Sequence, residues 1–379
     1  MLTQHRLRHL GMAPLLALSA IGAGAESAGA AGSSASSAAA PLPALHVEGK
    51  WIRDASGHAV TLRGVSVADL DAIHNGDRDQ SGPTTVFDII DRGCSSGWDI
   101  DVFRLPVHPE VTDETGSHGW LHYAPQDYFE RILDPAVQHA IRRGKYVIVD
   151  WHYIGADWRD AAVESSTEAF WLGKGAWPGV AVRYANQPSV LFELFNEPGG
   201  GSWSDWKVTA QRWIAGIRAR GAGNLVIVGG PVWSQVMPQR PSDLLSGPNI
   251  VYASHVYPAH VHGAMPPWID FVSSVAPVMM TEWGFEKDGP MPVNGTASSY
   301  GRIFRTYIDA HPNVGWTAWC FDSVYRPVMF DTAWVLLGNG KSTHTSRFGG
   351  GAEDTAENYM GQFVKDWLAE AKAKRPPGP

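Results

Sequence analysis

Cysteine is nearly absent from this 379-residue chain, with only Cys94 and Cys320 present. One intramolecular bridge is the most they can form, so a disulfide-stapled small-domain framework is excluded. Charge is also scarce: 18% of residues are charged and the formal balance is −8 at pH 7. Such a composition gives no basic face for nucleic acid or for an anionic membrane surface. No long apolar run follows the first two dozen residues, so the mature chain is expected to be soluble, with no membrane association.

The opening residues read as a targeting signal rather than as part of a fold. Arg6 and Arg8 precede an apolar run from Leu10 to Ile21, and Ala23, Gly24 and Ala25 supply small residues for cleavage. The run is too short to cross a bilayer, which takes about 20 residues. Residues 1–25 are therefore expected to be a secretory signal peptide, placing the protein outside the cytoplasm, extracellular or periplasmic. No cysteine follows the cleavage site, which disfavours a lipid anchor. Residues 26–44 are dominated by Ala, Ser and Gly, a composition that cannot bury a core, and are expected to be a disordered linker. Residues 45–379 remain as one catalytic-sized domain, expected to act as a monomer.

Tryptophan is what the chain has in excess, with 17 residues. Its broad apolar face suits packing, and suits stacking on the C–H faces of sugar rings equally well. After a short hairpin (His46 to Ile52, a turn at Asp54–Gly57, and Ala59 to Leu62), one pattern repeats: a β-rich run, a loop and a helical segment. The β-runs are Leu62–Val67, Ile100–Val107, Tyr146–His152, Val190–Asn196, Leu225–Gly229, Ile250–Tyr257, Val278–Trp283 and Val314–Phe321. Several are almost continuously apolar, as parallel strands covered on both faces must be. Helical spacing is found over Thr84–Gly93, Gln126–Arg143, Trp203–Arg220 (with Ser202 as N-cap), Pro267–Val275, Ser298–Ala310 and Glu357–Ala373, and more weakly over Glu168–Ala185 and Ser242–Leu245. Eight strands alternating with helices predict an α/β fold of the (β/α)8 TIM-barrel type, with an open doubly wound sheet as the alternative.

Barrel chemistry gathers at the C-terminal ends of strands. The fourth run ends at Asn196-Glu197-Pro198 and the seventh at Thr281-Glu282-Trp283. Each delivers a carboxylate to the mouth, from strands that face one another across the barrel. Retaining glycoside hydrolysis needs such a pair about 5–5.5 Å apart, one as general acid/base and one as nucleophile. Glu197 and Glu282 are the candidates. Glu193 shares the facing of Glu197 but lies deeper, which points to a structural partner.

These motifs resemble glycoside hydrolase family 5, the cellulase family within the clan of (β/α)8 retaining glycosidases. Asn196-Glu197-Pro198 looks like its acid/base motif and Thr281-Glu282-Trp283-Gly284 like its nucleophile strand. Val149-Asp150-Trp151-His152 is similar to its third strand and His255-Val256-Tyr257 to its sixth. Gly315-Trp316-Thr317-Ala318-Trp319 matches its last strand, and Phe103-Arg104-Leu105-Pro106 the segment that brings an Arg beneath the nucleophile. The resemblance implies substrate-binding roles for Arg104, His152, Asn196, His255, Tyr257 and Trp319. Arg104 and the Tyr257 hydroxyl would hold Glu282 ionised. Asn196 would bind the sugar 2-OH, His152 and His255 would position hydroxyls and Glu197, and Trp319 would floor the cleaved sugar. Glu197 must carry a proton to act as acid, which the nearby charge of Glu282 favours.

The implied partner is a β-linked polysaccharide or oligosaccharide, with an endo-β-1,4-glucanase first and β-mannanase or another β-glycanase next. Many bacterial cellulases of the family follow the last-strand Trp with Ser and later a Lys. Here Trp319-Cys320-Phe321-Asp322 stands, with no Lys nearby. Two other classes compete: a non-catalytic sugar-binding barrel, which would normally lose one carboxylate, and a metal-dependent hydrolase. His255, His260 and His262 lie close in sequence but without the carboxylate or Cys partner of a usual ligand set. Neither metal nor cofactor is expected, and EDTA should leave activity intact. Trp151, Trp158, Trp177, Trp203, Trp233 and Trp283 are candidates for outer sugar subsites, joined by Asp322 and Tyr325, with His108 near the cleft. Cys94 and Cys320 fall at opposite ends of the barrel, so two free, largely buried thiols are expected.

Overall fold

The structure, a computed structural model, describes residues 42–76, 85–95, 97–113, 116–342 and 352–374. The expected signal peptide and nearly all of the expected linker lie outside the described residues. Strand β1 (Leu45–Glu48) pairs antiparallel with β2 (Trp51–Asp54). Their turn is Gly49-Lys50, with Gly49 at φ 57°, a conformation that favours glycine and suits tight hairpins. The expectation of one continuous strand from His46 to Ile52 is thereby corrected. Asp54–Gly57 forms a second turn, in which Asp54 Oδ1 accepts from the Ser56 and His58 amides at 2.9 Å.

Eight strands then close into a barrel in sequence order: β3 (Arg63–Ser66), β4 (Val102–Val107), β7 (Tyr146–Trp151), β8 (Val190–Glu193), β9 (Val226–Val228), β10 (Ile250–His255), β11 (Val278–Glu282) and β12 (Val314–Ala318). All neighbours are parallel, and β12 pairs back onto β3. Closure excludes the doubly wound alternative. A small antiparallel hairpin, β5 (Val111–Asp113) and β6 (Gly116–His118), sits in the loop after β4.

Alternation along the strands builds two cores. Outward residues such as Phe103, Leu105, Val147, Val149 and Phe192 pack under the helices. Inward residues Val102, Ile148, Leu191, Ile227, Val251 and Met279 fill the lower barrel, and Leu45 and Ile52 of the hairpin plug it. The same alternation carried two residues further up turns Arg104, Asp150 and Glu193 inward. Asp150 and Glu193 lie directly opposite each other in the β7–β8 register. An apolar plug therefore gives way to a charged layer beneath the mouth.

The main helices follow the expected spacing. Trp203–Ala219 starts at Ser202, whose Oγ accepts from the Asp205 amide, and Met360–Ala373 closes the circuit. The expected Gln126–Arg143 helix is continuous from Pro125 to Arg142 but widens to a π turn over Phe129–Leu133. The helix Ala161–Leu172 begins well before the expected Glu168, because Glu164, Ser165, Ser166 and Thr167 dilute its apolar face. Leu70–Asn75, only six residues long, is too short to show a period. Neither cysteine is in a disulfide: Cys320 is buried, with its thiol donating to Tyr325 O at 2.9 Å, but Cys94, at the end of the helix Val86–Gly93, is only half-buried.

Gly64 on β3 lies against Val102 of β4. A Cβ there would sit 1.8 Å from the Val102 carbonyl oxygen. Gly64→Ala is expected to cost about 3 kcal/mol through overpacking, read as a lowered urea midpoint; an unchanged midpoint would contradict the strand register.

Candidate active site

Arg104 is the hub of the charged layer and is fully buried. Its Nε donates to Glu193 Oε2 at 2.6 Å, one terminal nitrogen to Glu282 Oε1 at 2.9 Å, and the other to Asn196 Oδ1 at 2.6 Å. The last also lies 2.9 Å from Asp150 Oδ2. Burial alone would push this guanidinium down, but Asp150, Glu193 and Glu282 around it push it up further still. Glu193 is the structural partner its depth implied: despite burial, Arg104 and His255 hold it down at about 2. One cation cannot balance three carboxylates. Asp150 is pushed well up by burial and by the charges of Glu193 and Glu282, against the pull of Arg104.

Above this layer sit the two carboxylates read from the strand ends. Glu282 is the last residue of β11, with Oε1 on Arg104 and Oε2 accepting from the Tyr257 hydroxyl at 2.9 Å. Glu197 lies beyond β8, where its amide donates to Tyr153 O and its carbonyl accepts from Gly155 N. The loops after β7 and β8 thus fix its backbone together. His255, ending β10, places Nδ1 2.8 Å from Glu197 Oε1 and Nε2 3.1 Å from Thr281 Oγ1. One donor atom each of Glu197, His255 and Glu282 lies within 4.8 Å of the others. Of the sequence's histidine trio, only His255 joins that group.

Electrostatics separate the members of the site. Burial raises Glu282, opposed by the cations of His255 and Arg104 and by the Tyr257 hydrogen bond. Burial alone would lower His255, but Glu282, Glu193 and Glu197 push it up to about 10. His152 is held well below its ordinary value by burial and by neighbouring His108, Arg104 and His255, so it is a neutral imidazole. Its Nδ1 contacts Asp150 Oδ2 at 2.6 Å. Its ring stacks on Trp319, with centroids 5.2 Å apart and planes at 4°.

These residues line a cavity of about 440 Å³ at the C-terminal end of the barrel, together with Ile154, Trp233, Gln235, His260, Pro292, Val293 and Arg326. All of the expected residues except Arg104, which lies directly below, border it. A second cavity of about 400 Å³ opens near the N-terminal hairpin at the other end of the barrel, among Leu42, Pro43, Thr61 and Tyr146, and holds none of this chemistry.

Of the tryptophans singled out for outer subsites, Trp233 alone lines the cavity, 47% exposed. Trp151, Trp158, Trp203 and Trp283 are buried in the helix layer. Trp177 is exposed, but on the loop after the helix Ala161–Leu172 that returns to the start of β8. His108, Asp322 and Tyr325 support neighbouring loops: His108 Nε2 is 3.1 Å from Ala68 O, Asp322 Oδ1 accepts from the Val324 and Tyr325 amides, and the Tyr325 hydroxyl meets Asp69.

Trp233 is presented by an unusual backbone. Val232, Trp233 and Ser234 all take left-handed values, φ 58°, 53° and 57°. Such a conformation costs about 1–2 kcal/mol per non-glycine residue. Three hydrogen bonds oppose it, from Val232 N to Gly199 O, Trp233 N to Pro198 O, and Ser234 Oγ to Asn196 O. All three anchor the turn to the segment that carries Glu197.

A barrel whose mouth joins paired carboxylates, a buried Arg and a Trp floor has the architecture of a two-carboxylate glycoside hydrolase. The comparisons agree: residues 54–324 match the model of Cellulase (glycosyl hydrolase family 5). The chain belongs to that family. It is 28% identical over 292 residues to Endoglucanase E-5 of Thermobifida fusca, covering 74% of this chain and 56% of that protein. Endoglucanase A of Evansella cellulosilytica is 30% identical over 230 residues, 59% of this chain and 42% of that one. The chain thus spans about half the length of these curated relatives. Among solved structures, a β-glucanase from Saccharophagus degradans shares 25% identity, with TM-score 0.66 over 87% of this chain and 94% of that one. The catalytic domain of Thermobifida fusca endoglucanase Cel5A gives 25% identity and TM-score 0.61 over 86% and 97%.

His255 supplies a pH test of this electrostatic arrangement. Its folded value, about 10, lies above the ordinary 6.5. The charged form is therefore favoured by folding, with its full stabilisation present below about pH 6.5 and lost as pH rises towards 10. The melting-temperature difference between wild type and His255→Gln should shrink steadily across that window; a constant difference would contradict a charged His255.

Proposed function

We propose that the protein is a secreted, retaining endo-β-1,4-glucanase, with Glu282 as nucleophile and Glu197 as general acid/base. The observation that carries this reading is the convergence of both carboxylates on one cavity, one oxygen of each within 4.8 Å of the other, together with their unequal surroundings. Glu282 has both oxygens fixed, by Arg104 and Tyr257, which holds one lone pair ready while lowering the cost of its charge. Among the described residues Glu197 meets one side chain, His255, whose Nδ1 lies against Oε1, which leaves Oε2 to carry a proton to a leaving oxygen.

In the first step Glu282 attacks the anomeric carbon and forms a glycosyl ester. The C–O bond to the leaving sugar breaks, and that oxygen takes the proton from Glu197. Forming the ester removes the charge of Glu282, and Glu197, now ionised, accepts a proton from incoming water. Water attacks the same carbon, Glu282 leaves as carboxylate, and two inversions return the β-configuration. Asn196 donates one amide hydrogen to Tyr153 O and receives Arg104 on its oxygen, leaving its other hydrogen for the sugar 2-OH. Trp319 floors the sugar under attack, while Trp233 offers a stacking face on the leaving-group side.

A β-glucan substrate is supported by the relatives named endoglucanases and by the Saccharophagus degradans β-glucanase solved in complex with cellotetraose. Secretion rests on the pattern of residues 1–25.

Two measurements test the mechanism. NMR of the first product from a cello-oligosaccharide should show the β-anomer, whereas an initial α-anomer rules out retention. Glu197→Ala should lose at least about a hundredfold on natural glucan yet far less on aryl glycosides with acidic phenols, which need little protonation; equal losses on both would remove Glu197 from the acid role.

A further inference from the structure

Arg326 is a cationic side chain of the cavity that the mechanism leaves unused. It follows β12 and Trp319 and lines the cavity beside Glu282, Pro292 and Val293. Its Nε and one terminal nitrogen donate to the two oxygens of Glu286 at 3.1 and 2.6 Å. Glu286 is fully buried, and it is held from several sides. Its Oε2 accepts from Val328 N at 3.4 Å, its amide donates to Val293 O, and its carbonyl accepts from Gly289 and Gly295. The remaining terminal nitrogen of Arg326 has no protein partner among the described residues.

A buried ion pair is an expensive way to pack a loop, since apolar residues of similar size serve as well or better. A guanidinium clamped along one edge, with its other edge towards a cavity, is instead a preorganised donor. We infer that Arg326 is a substrate-binding residue that donates to a hydroxyl or ring oxygen of the sugar on the nucleophile's side of the cleft, and that Glu286 is the positioning residue that aims it. Strand order supports that side: Arg326 and its flanking Pro292 and Val293 belong to the loops after β12 and β11, whereas Trp233 follows β9. The chemistry selects a neutral sugar. Glu286 already neutralises the guanidinium, and a uronic carboxylate would also face Glu197 and Glu282. The inference rests on the β-glucan reading above.

The test uses the full-length enzyme with Glu197→Gln, which binds without turnover, titrated with cellotetraose by calorimetry. Adding Arg326→Lys, which keeps the charge on Glu286 but loses the planar fork, should weaken binding about tenfold. In the active enzyme the same change should raise KM about tenfold and leave kcat within about threefold, because uniform binding is lost. A double change, Arg326→Met with Glu286→Met, removes the buried charge together with its partner and should weaken binding to the same extent. Affinity and KM within about twofold of the parent in either variant overturn the inference. Should both fail to fold, the Arg326 guanidinium 15N resonances of the Glu197→Gln enzyme decide: they shift on cellotetraose binding if Arg326 touches sugar, and unmoved resonances overturn it. Failure of Glu197→Gln itself to bind cellotetraose overturns the glucan reading and this inference with it, whereas binding indifferent to Arg326 overturns the inference alone.

Discussion

The site depends on one guanidinium placed where the barrel's apolar plug ends. Arg104 comes from β4 and reaches Asp150 on β7, Glu193 at the end of β8, Asn196 just beyond it, and Glu282 at the end of β11. It therefore ties strands from opposite sides of the barrel at the level where chemistry begins. Removing a partner from a buried ion pair leaves an uncompensated charge and costs about 3–5 kcal/mol. Here three carboxylates would be left at once. The same contacts that hold the layer together orient Glu282 and Asn196 beside Glu197, so stability and alignment are inseparable at this residue.

From that layer upward, the two carboxylates differ by what touches them. Glu282 is bonded on both oxygens and Glu197 on one, by a histidine that the surrounding acids keep charged. Two cations, Arg104 and His255, face four acids in a water-poor space. Backbone strain is spent in the same neighbourhood: the left-handed turn at Val232–Ser234 is fastened to Asn196, Pro198 and Gly199. The cleft wall that carries Trp233 and the loop that carries Glu197 are one mechanical unit.

Much of this was legible in the sequence because barrels write their function at strand ends. The apolar runs located every barrel strand, and the carboxylates Glu197 and Glu282 stood out at two run ends, whereas Arg104, His152, Asn196, His255, Tyr257 and Trp319 were marked by the resemblance to the family's motifs. Pattern gave less where pattern is weak. Gly49 and Gly57 both take positive φ and both mark turns, and the tighter one at Gly49 splits the run that alternation alone joined from His46 to Ile52. Trp233 could not be told from Trp151 or Trp283, since residues near strand tops point outward as often as inward. Asp150 lies within the Val149–His152 motif, but its contacts with Arg104 and His152 depend on register across β4, β7 and β8. Arg326 gives no signal in the sequence, because it lies outside the barrel motifs and its partner Glu286 is distant in sequence.

The central claim is that Glu282, held by Arg104 and Tyr257, forms a covalent bond to sugar. Incubation with a 2-deoxy-2-fluoro-β-cellobiosyl fluoride slows the second step more than the first, so a glycosyl ester should accumulate. Peptide mass spectrometry should then find the added fluoro-cellobiosyl mass on the peptide containing Glu282, and on none when Glu282→Ala is treated alike. A label on Glu197, or full turnover with no trapped ester, would contradict the account.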